Sequence, residues 1–209
     1  EVIGAVFRDS SLEGWNGFGL AIQAYQKRCP QLIDWLAEQA RLTGRRWCVR
    51  LVKGAYWDSE VKRAQVDGHV GFPVWTRKPN TDVAYLGCAR KLFDYGDLFY
   101  PQFATHNAHT IAAIHHLSKG LPFEYQRLHG MGADLYAEVV GEKNLNIPCR
   151  VYAPVGSHED LLPYLVRRLL ENGANTSFVN RIVDETQAIT DIVKDPAEFA
   201  ASVSPEFSF

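Results

Sequence analysis

The sequence predicts an α/β protein built as part of a (β/α)8 barrel, and three observations carry that prediction. Strand-like and helix-like segments alternate at even spacing from about Gly17 onward, the pattern of parallel strands joined by crossover helices. A doubly wound nucleotide-binding sheet would want GxGxxG at its first strand–helix turn, and neither GWNGFG (14–19) nor HGMG (129–132) completes it. Polar, chemically capable residues recur where the strands should end: Gln23, Arg50 with Lys53, Thr105-His106-Asn107, Gln126 with His129, and Tyr152. A barrel presents its functional residues at that C-terminal face.

The elements follow in order. GFGLAIQAY (17–25) is a short, mostly apolar run bounded by Gly and polar residues, hence a buried strand. Pro30 suits a first helical turn, QLIDWLAEQARL carries apolar residues at helical spacing, and Gly44 ends it. RRWCVRLVKGAY (45–56) is the second strand and DSEVKRAQVDG a polar helix. HVGFPVWTRKPN is a loop, and TDVAYLGCARKLFDYG (81–96) a helix with Thr81 as its cap. DLFYPQFAT (97–105) and PFEYQRLHG (122–130) are strands, followed by the helices AHTIAAIHHLSKG and ADLYAEVVGE. CRVYAPVG (149–156) is the fifth strand, and HEDLLPYLVRRLLENG (158–173) the last helix of the series. Ser157 can cap that helix, Asp160 sits where a capping box is completed, and Gly173 can end it.

Composition narrows the function classes. Of 209 residues, 46% are hydrophobic and 22% charged, enough to build a core and solvate its outside, which argues against intrinsic disorder. No apolar run approaches the roughly 20 residues that span a bilayer. With 22 basic and 24 acidic residues the net charge is −2, and the basic snatches DSEVKRAQ (58–65) and WTRK (75–78) are short, so no nucleic-acid footprint is present. Cys29, Cys48, Cys88 and Cys149 form no CxxC pair, which disfavours a zinc knuckle or disulfide scaffold and fits a reducing cytosol. Five βα units are not eight, and a barrel usually takes about 250 residues. The opening EVIGAVFRDSSLEGW reads as the tail of something already under way, so about three N-terminal strands are expected to lie outside this sequence.

The last helix is the most informative segment. Leu161, Leu162, Leu165, Val166, Leu169 and Leu170 make one apolar stripe, while Tyr164, Arg167, Arg168 and Glu171 share the other face. The plain reading is a solvated face with Glu171 paired to Arg167. The sharper one is a forked cation site, because two adjacent guanidiniums can hold a carboxylate bidentately. Arg50 and Lys53 close a strand that is otherwise buried. They could meet phosphate or electron-rich groups, and a desolvated Lys53 could form a Schiff base. Gly54 would let a flat ligand approach the backbone. His106 and His109 lack the partners of a zinc site, and His115-His116 belong on a helix surface. Tyr56, Trp57, Tyr152 and Tyr164 are either the walls of an apolar pocket or ordinary core and rim.

RLVKGAYWDSEVKRAQ (50–65), YPQFATHNAH (100–109), YQRLHGMG (125–132) and RVYAPVGSHEDLLPYLVRRLLENGANTSFVNR (150–181), taken together, resemble the proline dehydrogenase domain of the bifunctional proline utilisation A flavoenzymes. The resemblance runs from about Gly14 to Arg181. It implies a distorted (β/α)8 barrel that binds FAD at the strand C-termini. The activity implied is oxidation of L-proline to Δ1-pyrroline-5-carboxylate, with electrons passed to a membrane quinone.

By position, Arg167 and Arg168 resemble the pair that clamps the proline carboxylate, and Tyr56, Leu128, Tyr152 and Tyr164 the residues enclosing the proline ring. Arg50 resembles the residue near flavin N5. Gln23, Val52, Lys53, Gly54, Ala55 and Trp57 resemble flavin-contacting positions, as do Thr105, His106, Asn107, Gln126 and Glu171. Thr176, Ser177 and Phe178 would lie along the dinucleotide. No metal is implied. A lysine and an aspartate that the family places on early barrel strands would precede Glu1. Residues 1–181 are thus expected to be a partial barrel and 182–209 a tail or the start of a linker. An aldehyde dehydrogenase domain in the same parent polypeptide, a cytoplasmic location and peripheral association with the inner membrane are family expectations. From the residues alone, a lyase or aldolase using Lys53, or a non-catalytic interaction piece, stay open.

Overall fold

The structure is a computed structural model that describes residues 2–173 and 186–203, with side chains described as far as Arg168 in the last long helix. Five strands form one sheet: β1 (Gly19–Gln23), β2 (Trp47–Val52), β3 (Phe99–Ala104), β4 (Glu124–Leu128) and β5 (Cys149–Tyr152). They lie side by side in chain order and every neighbouring pair is parallel. After the short α1 (Val2–Phe7), the crossovers carry α2 (Cys29–Thr43), α3 (Trp57–Val66), α4 (Lys78–Asp94), α5 (Ala108–Ser118) and α6 (Ala133–Ala137). The long helix α7 (His158–Gly173) follows β5, and α8 (Ile189–Ile192) and α9 (Pro196–Ser202) come last. Singly wound βα units in this order form an arc of a barrel rather than a doubly wound sheet.

Side-chain alternation gives the sheet two unlike faces. Trp47, Val49 and Leu51 of β2 and Phe99 and Phe103 of β3 are fully buried against α2 and α4, which supply Ile33, Leu36, Ala37, Tyr85, Ala89 and Leu92. Each such side chain contributes about 1.5–3 kcal/mol by leaving water. The residues between them, Cys48, Arg50 and Val52 on β2 and Tyr100, Gln102 and Ala104 on β3, are half-buried on the opposite, inner face. That face carries the polar groups described below. At the N-terminal end of β2, Phe7 of α1 stacks on Trp47.

Local chemistry explains most element boundaries. Gly44 takes φ +64° at the end of α2, and its N–H reaches the Ala40 and Arg41 carbonyls, a left-handed stop that glycine adopts without strain. Strands β2 and β5 each stop four residues before their expected ends, and two helix boundaries differ from expectation by three residues or more. Helix α4 starts at Lys78, three residues before Thr81. Pro79 sits in its first turn with its φ already helical, and Thr81 is a buried residue inside the helix rather than a cap. Helix α6 stops at Ala137 although ADLYAEVVGE was expected to continue to residue 142. There the Asn144 amide donates to the carbonyls of Ala137 (2.6 Å) and Val140 (3.1 Å), and Gly141 takes φ +99°. No described helix is long and apolar enough to cross a membrane. Helix α9 packs on α4, and Arg77 Nη1 donates to the Val203 carbonyl at 3.2 Å.

Candidate functional site

The inner face of the sheet carries a continuous polar rung. Strand register sets Arg50 opposite Gln102, Gln102 opposite Glu124, and Gln126 opposite Arg150. Arg50 Nε donates to Gln126 Oε1 at 2.7 Å, and its guanidinium lies 4.8 Å over the Tyr152 ring. Gln126 Nε2 donates in turn to Glu124 Oε1 at 2.8 Å. Gln102 Nε2 donates to the same oxygen at 2.9 Å, while Arg150 spans both carboxylate oxygens at 2.8 and 3.0 Å. Burial raises the Glu124 pKa. The Arg150 and Gln126 bonds, the Arg150 charge and the Gln102 bond outweigh it, and the carboxyl ends below its ordinary value.

The junction between β2 and α3 forms one side of the C-terminal rim. Val52 O and Lys53 O accept from the N–H groups of Ala24 (2.9 Å) and Tyr25 (2.8 Å), and the Ala55 N–H donates to Gln23 Oε1 at 3.4 Å. Lys53 is ion-paired and hydrogen-bonded to Asp82 of α4. Gly54 has φ +148°, and a Cβ there would come within 2.4 Å of the Tyr25 ring. In this structure the Tyr25 ring fills the space toward which that Cβ would point. Tyr56 is half exposed, and the Trp57 indole donates to Trp75 O at 2.9 Å.

Just beyond β3, Thr105, His106 and Asn107 each have a defined partner. Thr105 O accepts from the Tyr136 hydroxyl at 2.8 Å. Asn107 caps α5 by accepting from Thr110 N–H at 3.0 Å. His106 Nε2 accepts from Leu128 N–H at 3.1 Å, which requires that nitrogen to be unprotonated. Burial, then the charges of Arg168 and Arg127, lowers the His106 pKa and keeps the ring neutral. Among the described residues no group of three or more His, Cys, Asp or Glu side chains is arranged to hold a metal ion. His115 and His116 are exposed and line a cleft of about 550 Å³ at the far, N-terminal end of β4 and β5.

Helix α7 presents its charged face to this rim, contrary to the plain reading of a solvated outer face. The Arg167 guanidinium lies 4.4 Å over the Tyr56 ring and that of Arg168 5.2 Å over Tyr164. Arg50, Tyr164 and Arg168 also act on Tyr152, whose pKa is raised mainly by burial. Leu162, Leu165 and Val166 of the apolar stripe face the other way, each more than two-fifths exposed. Ser157 Oγ accepts from Asp160 N–H at 3.3 Å and donates to Asp160 Oδ2 at 2.8 Å, so the expected pair does cap the helix. The Glu171 side chain, with its expected pairing to Arg167, and Thr176, Ser177 and Phe178 lie outside the described residues.

The structure therefore brings Arg50, Gln126, Tyr152, Tyr164, Arg168 and His106 into one neighbourhood and sets Arg167 against Tyr56. Gln23, Val52, Lys53, Gly54, Ala55 and Trp57 line the β1–β2 side of the same rim. Sequence reasoning did not single out Glu124, Gln102, Arg150 or Asp82. A signal existed for Glu124: alternation along EYQRL puts it with Gln126 on one face of a strand expected to be buried on both sides, an expensive place for a carboxylate without a reason.

The family model described as Proline dehydrogenase matches residues 1–181. The chain is 61% identical over 197 residues to the Bifunctional protein PutA of Salmonella typhimurium, a match that covers 91% of this chain and 15% of that protein. It is 29% identical over 178 residues to the Hydroxyproline dehydrogenase of Bos taurus, covering 78% of this chain and 37% of that one. Among solved structures, an aspartate variant of proline utilization A from Bradyrhizobium japonicum superimposes with a TM-score of 0.89 at 52% identity, over 96% of this chain and 21% of that chain. The chain thus spans less than a quarter of these PutA relatives.

Proposed function

The chain belongs to the proline dehydrogenase family, and from that premise we propose that it supplies one side of an FAD-dependent site that oxidises L-proline to Δ1-pyrroline-5-carboxylate. The observation that carries the proposal is the turn of α7 toward the strand C-termini, with Arg167 and Arg168 stacked on Tyr56 and Tyr164 instead of extending into water. Two guanidiniums on successive residues can take both oxygens of one carboxylate, and aromatic faces beneath them suit the flat, apolar ring of proline.

The donor set also fits a flavin dinucleotide. Arg50 and Lys53 on the sheet side suit a group carrying a diphosphate and an electron-accepting ring, as do the neutral His106 and the Gln23 and Gln126 amides. FAD, when bound, supplies a two-electron acceptor that takes a hydride from the proline carbon next to nitrogen, while the ring nitrogen gives up a proton. The chain's own residues do the rest. Arg167 and Arg168 hold the carboxylate, and Tyr56, Leu128, Tyr152 and Tyr164 fix the ring's height and exclude water. Arg50 puts positive charge where negative charge develops. A Schiff-base role for Lys53 is disfavoured, because its side-chain nitrogen is already engaged in an ion pair and hydrogen bond with Asp82.

The partners follow from the same reading: L-proline, a quinone that removes the electrons, and an aldehyde dehydrogenase domain in the parent polypeptide to consume the product. Residues 1–181 are proposed as the barrel portion and 182–209 as the continuation beyond it. The test is a visible spectrum of the full parent protein, before and after anaerobic addition of L-proline. A flavin spectrum that bleaches is expected, with Arg167→Ala and Arg168→Ala each raising KM for proline on the order of tenfold to a hundredfold for one lost charge-assisted contact. A protein without flavin, or KM values unmoved in both variants, overturns the proposal.

A further inference from the structure

Glu124 begins β4 on the inner face of the sheet, and its side chain is 5% exposed. Every bond it makes is received. Oε1 accepts from Gln126 Nε2, Gln102 Nε2 and Arg150 Nε, and Oε2 from Arg150 Nη2. An ionised carboxylate has acceptors only, so any amide facing it must present its NH2 end. That requirement fixes Gln126. With its nitrogen toward Glu124 at 2.8 Å, its carbonyl oxygen points to the other side, where Arg50 Nε donates at 2.7 Å. A guanidinium has donors only, so the two neighbours of Gln126 demand the same amide orientation from opposite ends. Gln102 and Arg150 hold the carboxylate in place from β3 and β5, and the arrangement spans four strands.

We propose that Glu124 is a positioning residue: through the Gln126 amide it holds the Arg50 guanidinium over Tyr152 at the rim where the flavin is proposed to bind. The inference rests on the proposed function only for what Arg50 faces; the relay itself is a property of this sheet. Glu124 touches neither substrate nor cofactor, and its effect is transmitted. Replacing it by glutamine removes the acceptor-only constraint. The new carbonyl keeps the Oε1 place, where Gln126, Gln102 and Arg150 Nε donate, and the new NH2 faces Arg150 Nη2, donor against donor. With the charge gone and Arg150 pushed off, the acceptor that fixes the Gln126 amide toward Arg50 is weaker and free to shift.

The test uses the full flavoprotein with Glu124→Gln, Gln126→Leu and the double variant, and reads the midpoint potential of the bound flavin. Glu124→Gln is expected to lower the potential, because a displaced cation no longer favours the reduced, more negative flavin, and kcat is expected to fall on the order of tenfold. Gln126→Leu should shift the potential in the same direction, and adding Glu124→Gln to it should shift it no further. Glu124→Asp, which keeps the carboxylate, should recover part of the shift and serves as the second variant should Glu124→Gln not fold. A lower melting temperature with an unchanged potential, or shifts that add in the double variant, overturns the proposal, since a merely structural residue would behave that way. A crystal structure of Glu124→Gln decides the relay independently of any flavin. Arg50 displaced from Gln126 Oε1 or from the Tyr152 ring supports it, and Arg50 in its wild-type place against both overturns it, even if the wild-type protein proved to carry no flavin and the proposed function failed.

Discussion

His106 shows how one backbone bond sets a side chain's chemistry. Its Nε2 accepts from Leu128 N–H, and burial together with the Arg168 and Arg127 charges lowers its pKa below the usual imidazole value. The sign of the consequence follows. Between the lowered folded pKa and the unfolded value near 6.5, the unfolded chain binds more protons than the folded one, so stability is full above that window and declines as pH falls through it. In His106→Gln, where an amide oxygen can still accept from Leu128, urea midpoints should differ less between about pH 7.5 and about pH 5.5 than in wild type. Equal differences in the two proteins would refute the assignment. Much at this scale was legible: the Tyr164, Arg167 and Arg168 face was named from helical spacing alone. Asp82 was not, because its pairing with Lys53 joins residues 29 apart in sequence and no local pattern encodes it. The direction in which α7 turns its arginines was likewise a matter of packing, beyond the reach of periodicity.

Elements were legible where their ends are chemically marked. Helix α2 stops at Gly44 and α7 begins after Ser157, as cap residues dictate. Helix α4 begins ahead of the cap-like Thr81, because Pro79 is equally good at a helix start and comes first. Helix α6 stops short of its expected end because the side chain that terminates it, Asn144, comes from beyond that end. The connection from β2 to α3 is closely packed at Gly54. Gly54 combines a backbone conformation that L side chains rarely adopt with a Cβ position 2.4 Å from the Tyr25 ring, so alanine there would strain the backbone and push the ring. Gly54→Ala should destabilise the protein by about 2–4 kcal/mol, from backbone strain plus overpacking. It should also displace Lys53 and Ala55, which flank it. A denaturation midpoint indistinguishable from wild type would mean that the junction is looser than its geometry implies.

At the scale of the whole molecule, the five strands make an arc and not a closed barrel. Among the described residues β1 pairs only with β2, and β5 only with β4, so each carries a row of backbone groups with no strand beside it. The inner face is lined by Arg50, Gln102, Glu124, Gln126 and Arg150, which are satisfied mainly by one another. The alternation from strand to helix made this arc visible in the sequence. The polar rung stayed hidden, because it is built by register between strands rather than by spacing along any one of them. Exposed strand edges invite pairing with another chain, and the half-exposed Leu162, Leu165 and Val166 of α7 add apolar surface of their own. The 209-residue chain expressed by itself should therefore self-associate at micromolar concentration, the range in which open edges and exposed apolar surface aggregate. Sedimentation velocity over a dilution series would show mass rising with concentration. A longer polypeptide that closes the arc with further strands should be monodisperse where this chain is not, because closure removes the edges and covers the inner face. A monomeric, cooperatively unfolding 209-residue chain would instead mean that the helices shield both edges, and that the rung between Arg50 and Arg150 is stable with one face open to water.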